Sequence, residues 1–344
     1  MERLKTAVIG TGHLGKIHLK LLADQPQSEI VGIYDVCDDL RDTLAKEYNV
    51  SSFCELDLLI DQIDAAIVAA PTANHFEIGA KLLNAGKHLF LEKPITQTVE
   101  EGRKLVALAQ EKKLVLQVGH VERFNPAFET ALPHLREIAF LETSRTAPYT
   151  FRSNDVGIVL DLMIHDLDLV LTAIPEELTN VTAQGVTVFG PHEDIAHAQL
   201  TFAGGASVQL TASRCSPQPT RTFCATTANG QVNINFAEKT TTLLRAGSSL
   251  ATGKIDVFNI SSEEKEEVKT NLFTRYLPVE NLNVRSNNAI AEEHTDFLEA
   301  ITKNGQPRVD GKAGLRAIEV AYEILDKMVV TSWQNGLPLH RKAG

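Results

Sequence analysis

The residues best suited to chemistry fall in three short clusters. The first is Gly10-Thr11-Gly12-His13-Leu14-Gly15, a complete G-x-G-x-x-G that follows an apolar strand-like run and opens a helical pattern. Each glycine has its own physical reason: Gly10 permits a tight turn, Gly12 lets the backbone approach an anion, and Gly15 lets a helix pack closely on a strand. A helix starting here presents unpaired N–H groups and its positive dipole end to a pyrophosphate. Asp35, about 20 residues past Gly15, closes the next strand-like run, where a carboxylate accepts hydrogen bonds from ribose hydroxyls. The chemistry implied is dinucleotide binding. Asp35 would repel a 2′-phosphate and so favours NAD over NADP, with Arg41 nearby as the opposing feature. Ala70-Pro71-Thr72 ends a further strand at the carboxyl edge, and His75 beyond it reads equally as a cofactor contact or a helix cap.

The second cluster is Glu92-Lys93-Pro94, again at a strand end. Proline removes a backbone donor and restricts the residue before it, so Lys93 sits on a stiff turn. A lone lysine there would ordinarily be a solvated charge. The third cluster lies in Gly119-His120-Val121-Glu122-Arg123-Phe124-Asn125-Pro126 and in Asp161-Leu162-Met163-Ile164-His165-Asp166. On an α-helix Asp161 and His165, four apart, share a face. The surrounding residues are apolar, so these charges need partners or a polar cavity. Catalysis, a metal half-site and a structural pair are the readings that spacing allows.

The elements that must position these groups follow from periodicity. Strands are expected at Thr6–Ile9, Ile30–Tyr34, Ala65–Ala69, His88–Leu91 and Leu114–Val118, with amphipathic helices between them, the rhythm of a parallel α/β sheet. A helix is expected over Val156–Ile174. After it the period becomes two: Ala198, Leu200 and Phe202, then Ala206, Val208, Leu210 and Ala212 across Gly204-Gly205, read as an antiparallel hairpin. Its other face, with Ser207, Gln209, Thr211 and Ser213, is small and polar. Further strands are expected at Thr222–Thr227, Val232–Phe236 and Thr241–Leu244, and helices at Asn288–Lys303 and Lys312–Gln334. Ser261–Lys269 reads as a charged surface loop. The expected fold is an α/β Rossmann domain over residues 1–122, then an α+β domain over 123–344 with a large, mostly antiparallel open sheet.

The 344 residues suit two domains, and 43% hydrophobic with 22% charged residues is ordinary for a globular chain. A formal net charge of −11 disfavours a nucleic-acid partner. No apolar run is long enough to span a membrane and no signal-peptide pattern opens the chain, so a cytoplasmic protein without membrane attachment is expected. The cysteines (Cys37, Cys54, Cys215, Cys224) form no C-x-x-C pair and no zinc-type cluster, which leaves packing thiols.

In this order, G-T-G-x-x-G, E-K-P and D-x-x-x-H resemble the glucose–fructose oxidoreductase / inositol dehydrogenase (Gfo/Idh/MocA) family. The resemblance implies an NAD-dependent enzyme acting on a sugar or polyol hydroxyl, with Lys93, Asp161 and His165 lining the place where that hydroxyl meets the nicotinamide. Cofactor contacts are then expected from Gly10, Gly12, His13, Leu14, Gly15, Asp35, Ala70, Pro71, Thr72, His75, Glu92 and Lys93, with no metal. It also implies a homodimer or homotetramer through the C-terminal sheet. The G-H-V-E-R-F-N-P segment with the D-L-M-I-H-D-L-D-L helix is similar to members that oxidise the 3-hydroxyl of UDP-N-acetylglucosamine or related nucleotide sugars. Lys93, His120, Arg123, Asn125, Arg152, Asp161 and His165 are the expected substrate contacts. Guanidinium forks at Arg123 and Arg152 suit phosphate oxygens, with local ion pairs as the alternative. Two other classes compete with a dehydrogenase: a dinucleotide-sensing regulator without net chemistry, and an enzyme using bound NAD for a transient oxidation.

Overall fold

A computed structural model describes residues 3–150, 156–247, 258–334 and 337–343. The chain divides into two compact units, residues 1–124 with 287–322, and residues 125–286 with 323–344. The first boundary lies close to the expected 122/123, whereas 287–322 groups with the first unit rather than the second. Its packing gives the reason. Phe297, Leu298 and Ile301 complete the core formed by Val8, Leu19, Leu22, Ile33, Ile67 and Phe90.

In the first unit, β1 (Leu4–Ile9), α1 (His13–Ala23), β2 (Ser28–Tyr34), α2 (Asp38–Tyr48), β3 (Ser51–Phe53), α3 (Leu56–Ile60), β4 (Ala65–Val68), α4 (His75–Asn84), β5 (His88–Glu92), α5 (Val99–Lys112) and β6 (Leu116–Gly119) alternate along the chain. The six strands form a wholly parallel sheet in the order β3-β2-β1-β4-β5-β6. Ala65–Val68 is buried throughout, as a strand covered by helices on both faces must be. In this order the strand sequence reverses beside β1, and ligands bind beyond the carboxyl ends at such a point.

In the second unit come α6 (Pro126–Ala131), β7 (Ile138–Thr146), a π turn at Val159–Met163, α7 (Ile164–Ala173), β8 (Leu178–Val186), β9 (Ile195–Phe202), β10 (Ser207–Ser213), β11 (Thr220–Thr227), β12 (Gly230–Asn235), β13 (Thr240–Leu244), α8 (Ser262–Thr270) and β14 (Val279–Asn281). The helices α9 (Ala289–Thr302) and α10 (Gly311–Lys327) follow, and β15 (Met328–Gln334) and β16 (Leu337–Lys342) complete the sheet of the second unit. Ten strands run β14-β13-β12-β11-β7-β10-β9-β8-β15-β16, antiparallel except for β7–β10 and β8–β15. One face buries Leu141, Leu200, Val208, Leu210, Phe223 and Ile234, while the residues between them, such as Gln199 and Gln209, are exposed. No described helix is long and apolar enough to cross a membrane.

Several elements differ from expectation. Ser261–Lys269 is largely helix, because Ser261 and Glu264 form a reciprocal capping box that holds its first turn. The helix expected to run to Gln334 stops at Lys327, where β-branched residues start a strand paired in parallel with β8. The helix expected over Val156–Ile174 is a π turn followed by α7. β3, β7, β8, β14 and β16 were not anticipated. Cys37 and Cys54 are exposed rather than packed.

Candidate active site

At the end of β1 the backbone makes a cradle. Gly10 has φ +90°, and a Cβ there would lie 2.7 Å from the Ala69 carbonyl carbon, so only glycine fits the turn. A Cβ on Gly15 would lie 1.8 Å from the Gly10 oxygen, which is how closely α1 approaches the strand end. Around Gly12 a Cβ would meet nothing within 4 Å, leaving an open approach to the backbone. No described side chain caps α1, so its first N–H groups point to that space. His13 and Leu14 are exposed beside it.

Asp35 is tied to this turn. Its Oδ2 accepts from Thr11 N (2.5 Å) and Thr11 Oγ1 (2.9 Å), and its Oδ1 from Cys37 N (2.8 Å). Burial pushes its carboxyl up, but these hydrogen bonds outweigh burial and hold it below the usual carboxylate range. Asp35 is thus ionised and fixed against the glycine turn. Arg41, the cation that could have welcomed a 2′-phosphate, is buried and paired with Asp38 (2.7 Å) and Asp42 (3.1 Å). Both features suit a dinucleotide with a free 2′-hydroxyl. Open Gly12, the uncapped helix and ionised Asp35 fit NAD.

The strand ends β4 and β5 carry the next groups. Ala70, Pro71 and Thr72 lie past β4, Thr72 opening a short 3₁₀ turn. His75 does not cap the helix: it is buried, with Nδ1 2.9 Å from the Pro94 carbonyl and Nε2 2.9 Å from the Ala70 carbonyl. Burial lowers its pKa, so the ring is neutral and donates to one of these two oxygens. The ring lies between the two strand-end loops. Glu92 turns its buried carboxylate inward, accepting from His18 Nε2 (2.8 Å) and from the Lys93 amide (3.1 Å). Burial raises its pKa, and the His18 hydrogen bond, the charges and the Lys93 amide more than reverse this, so it stays ionised. Lys93 is half-buried at the end of this strand.

Of the junction residues, His120 is buried, its main chain continuing the hydrogen bonding to Val118 and Arg123. Arg123 donates to the Arg308 carbonyl at 3.1 Å. Asn125 caps α6 through Ala127 N (3.1 Å), a role its type and the following proline make legible. Arg152 lies outside the described residues.

In the second unit Asp161 sits within the π turn and His165 in the first turn of α7, both half-buried. Alpha-helical spacing therefore does not apply to this pair unchanged, and single π turns recur at functional sites. The turn is braced by residues whose role no motif announced. Glu193 Oε1 accepts from Val159 N at 3.2 Å, and the Glu193 carbonyl accepts from Ile158 N at 3.0 Å. Arg214 bridges Asp194 (2.7 Å) to the Val156 carbonyl (3.2 Å). Arg145 grips Asp166, beside His165, through a buried two-pronged pair whose closest contact is 2.7 Å. Buried charges across long sequence separations leave no periodic trace, which is why sequence reasoning passed over Arg145, Glu193, Asp194 and Arg214.

The glycine cradle, ionised Asp35 and the strand order define a Rossmann protein of the NAD-binding class. Comparison with known proteins narrows this. Residues 4–120 match the oxidoreductase family with an NAD-binding Rossmann fold, and residues 119–233 match the Gfo/Idh/MocA C-terminal domain. UDP-N-acetylglucosamine 3-dehydrogenase of Acidithiobacillus ferrooxidans is 32% identical over 329 residues, 94% of this chain and 97% of that protein. A solved structure under that name and organism superposes with a TM-score of 0.83 at 29% identity, covering 95% of this chain and 98% of the other. The NAD(+)-dependent scyllo-inositol 2-dehydrogenase of Bacillus subtilis is 30% identical, over 63% of this chain and 69% of its own length. The chain belongs to the Gfo/Idh/MocA family: it is an oxidoreductase, and NAD is its cofactor.

Proposed function

We propose that this enzyme oxidises a secondary hydroxyl of a nucleotide sugar, the 3-hydroxyl of UDP-N-acetylglucosamine in the first instance. The observation that carries this choice is the extent of likeness: the nucleotide-sugar dehydrogenase is matched over 97% of its length, the scyllo-inositol dehydrogenase over 69%. NAD, when bound, supplies the hydride acceptor. His165 takes the hydroxyl proton, since an imidazole titrates near working pH. Lys93 donates a hydrogen bond to the same oxygen and stabilises its developing negative charge. Asp161 orients His165 or grips a neighbouring hydroxyl, and Arg123 and Arg152 serve the diphosphate.

The exposed polar face of the second unit's sheet, with Thr182, Gln184, His197, Gln199 and Gln209, supports a homodimer or homotetramer through that face. The activity is tested by incubating enzyme and NAD+ with UDP-N-acetylglucosamine, UDP-glucose, scyllo-inositol or myo-inositol and following NADH absorbance. NADH formation fastest with UDP-N-acetylglucosamine is expected. NADH from the inositols alone would overturn the nucleotide-sugar assignment, and product without NADH would indicate a transient oxidation.

A further inference from the structure

Beneath Lys93 the first unit contains a buried chain of three ionisable groups for which the proposed reaction gives no direct role. Glu92 Oε1 lies 2.8 Å from His18 Nε2, and His18 Nδ1 lies 2.8 Å from His294 Nε2. All three are buried: relative exposures are 8% for Glu92, 1% for His18 and 0% for His294. They come from β5, α1 and α9, the two histidines standing 276 positions apart in the chain. The rings are fixed further by Phe90, whose edge-on contacts place its centroid 5.5 Å from that of His18 and 6.2 Å from that of His294. Such a chain is costly to bury, since each charged or polar member leaves water and must be met by a partner.

What it reaches is the backbone of Lys93. The second Glu92 oxygen, Oε2, accepts from the Lys93 amide at 3.1 Å. Across the carboxylate stands Gly119, where a Cβ would come within 3.0 Å of the Glu92 carboxyl group. On the far side of the same turn His75 contacts the Pro94 carbonyl. The Lys93-Pro94 turn is thus held at its amide by Glu92, while the buried His75 ring packs against its carbonyl. Glu92 is in turn held by His18, and the His18 ring by His294.

Resting on the reading that Lys93 serves the reaction, we propose that His18 and His294 are positioning residues that act through Glu92 to set the place of Lys93. A displacement of about 1 Å at a reacting group costs on the order of a hundredfold in rate, so such a support has a kinetic value that burial alone would not give it. The chain meets the backbone of the Lys93 turn, so its effect is expected in turnover; His18 stands on α1, whose first turn belongs to the Gly10–Gly15 cradle, so NADH affinity is the control for damage there.

The test uses the full-length enzyme with NAD+ and UDP-N-acetylglucosamine. H18L and H294L each keep the Glu92 carboxylate that accepts from the Lys93 amide while removing one ring of the chain behind it, and H18Q keeps a donor toward Glu92. Pro94 has no amide, so hydrogen exchange of peptides ending on either side of Lys93 reports the Lys93 amide itself. In H18L that amide is expected to exchange at least about tenfold faster than in wild type, and in H294L to shift in the same direction, with the β4 peptide unchanged. NADH affinity should stay within about threefold while kcat falls about tenfold to a hundredfold in H18L, and H18Q should hold both readouts near wild type. Where H18L fails to fold, H294L carries the same two readouts. Wild-type exchange at Lys93 in H18L and H294L would overturn the proposal, as would equal losses of kcat and NADH affinity, or an H18Q as poor as H18L. K93M separates the underlying reading: wild-type turnover in K93M would remove Lys93 from the reaction, while the exchange result would still report what holds its backbone.

Discussion

Glu92 and Glu193 are both buried glutamates, yet they end on opposite sides of the usual glutamate value. Burial raises both. At Glu92 the His18 hydrogen bond and nearby positive charge reverse it; at Glu193 the Val159 amide and the charges of His192 and Arg214 do not, and its carboxyl stays raised. A carboxyl raised by folding is favoured in its protonated form, so its ionisation costs stability. That cost is absent below the unfolded value, near 4.5, and is fully present above the raised folded value. E193Q keeps an oxygen for Val159 N–H and carries no charge. Thermal melts should show E193Q above wild type at neutral to mildly alkaline pH, the gap closing as pH falls toward that unfolded value. A variant no more stable than wild type at any pH would contradict this sign. His165 is tested kinetically: H165A should lose about 10²- to 10⁴-fold in turnover while NADH affinity by fluorescence titration is nearly unchanged. Undiminished turnover would remove His165 from proton transfer.

At the scale of elements, the π turn at Val159–Met163 is the feature that simple helical periodicity missed. Asp161 N still bonds to the Gly157 carbonyl at 3.0 Å, so the turn is entered in α register before it widens. Gly157 packs against Glu193: a Cβ there would lie 2.0 Å from Glu193 Oε1, so the carboxyl group would have to move. G157A should therefore displace Glu193 from Val159 N–H and cost about 1–3 kcal/mol in denaturant unfolding, with a fall in turnover. Unchanged stability and turnover would show that Glu193 relocates freely. Other elements were legible to different degrees. β1, β2, β4 and β5 could be read from apolar runs because a parallel sheet buries both faces. β7 and β8 could not, since Thr143, Arg145 and Gly185 interrupt their apolar pattern; Arg145 is tolerated inside only because Asp166 pairs with it. For α8 the capping residues Ser261 and Glu264 are visible in the sequence, but the density of charge points to a loop instead.

For the whole molecule, local motifs located the cofactor half better than the rest. Gly10, Gly12, Gly15 and Asp35 lie in the first β-α-β segment, so sequence proximity sufficed to join them. His18 and His294, or Arg145 and Asp166, meet only through tertiary folding, and nothing in composition links them. The return of residues 287–322 to the first unit had the same cause, since its apolar helix faces could have covered either domain. The central claim is that NAD+ accepts hydride from carbon 3 of UDP-N-acetylglucosamine. It is tested most directly with that substrate deuterated at carbon 3, by mass spectrometry of the reduced cofactor. Deuterated NADH, formed together with a 3-keto sugar nucleotide, is the predicted result; unlabelled NADH, or no NADH with active and NAD-loaded enzyme, would contradict it.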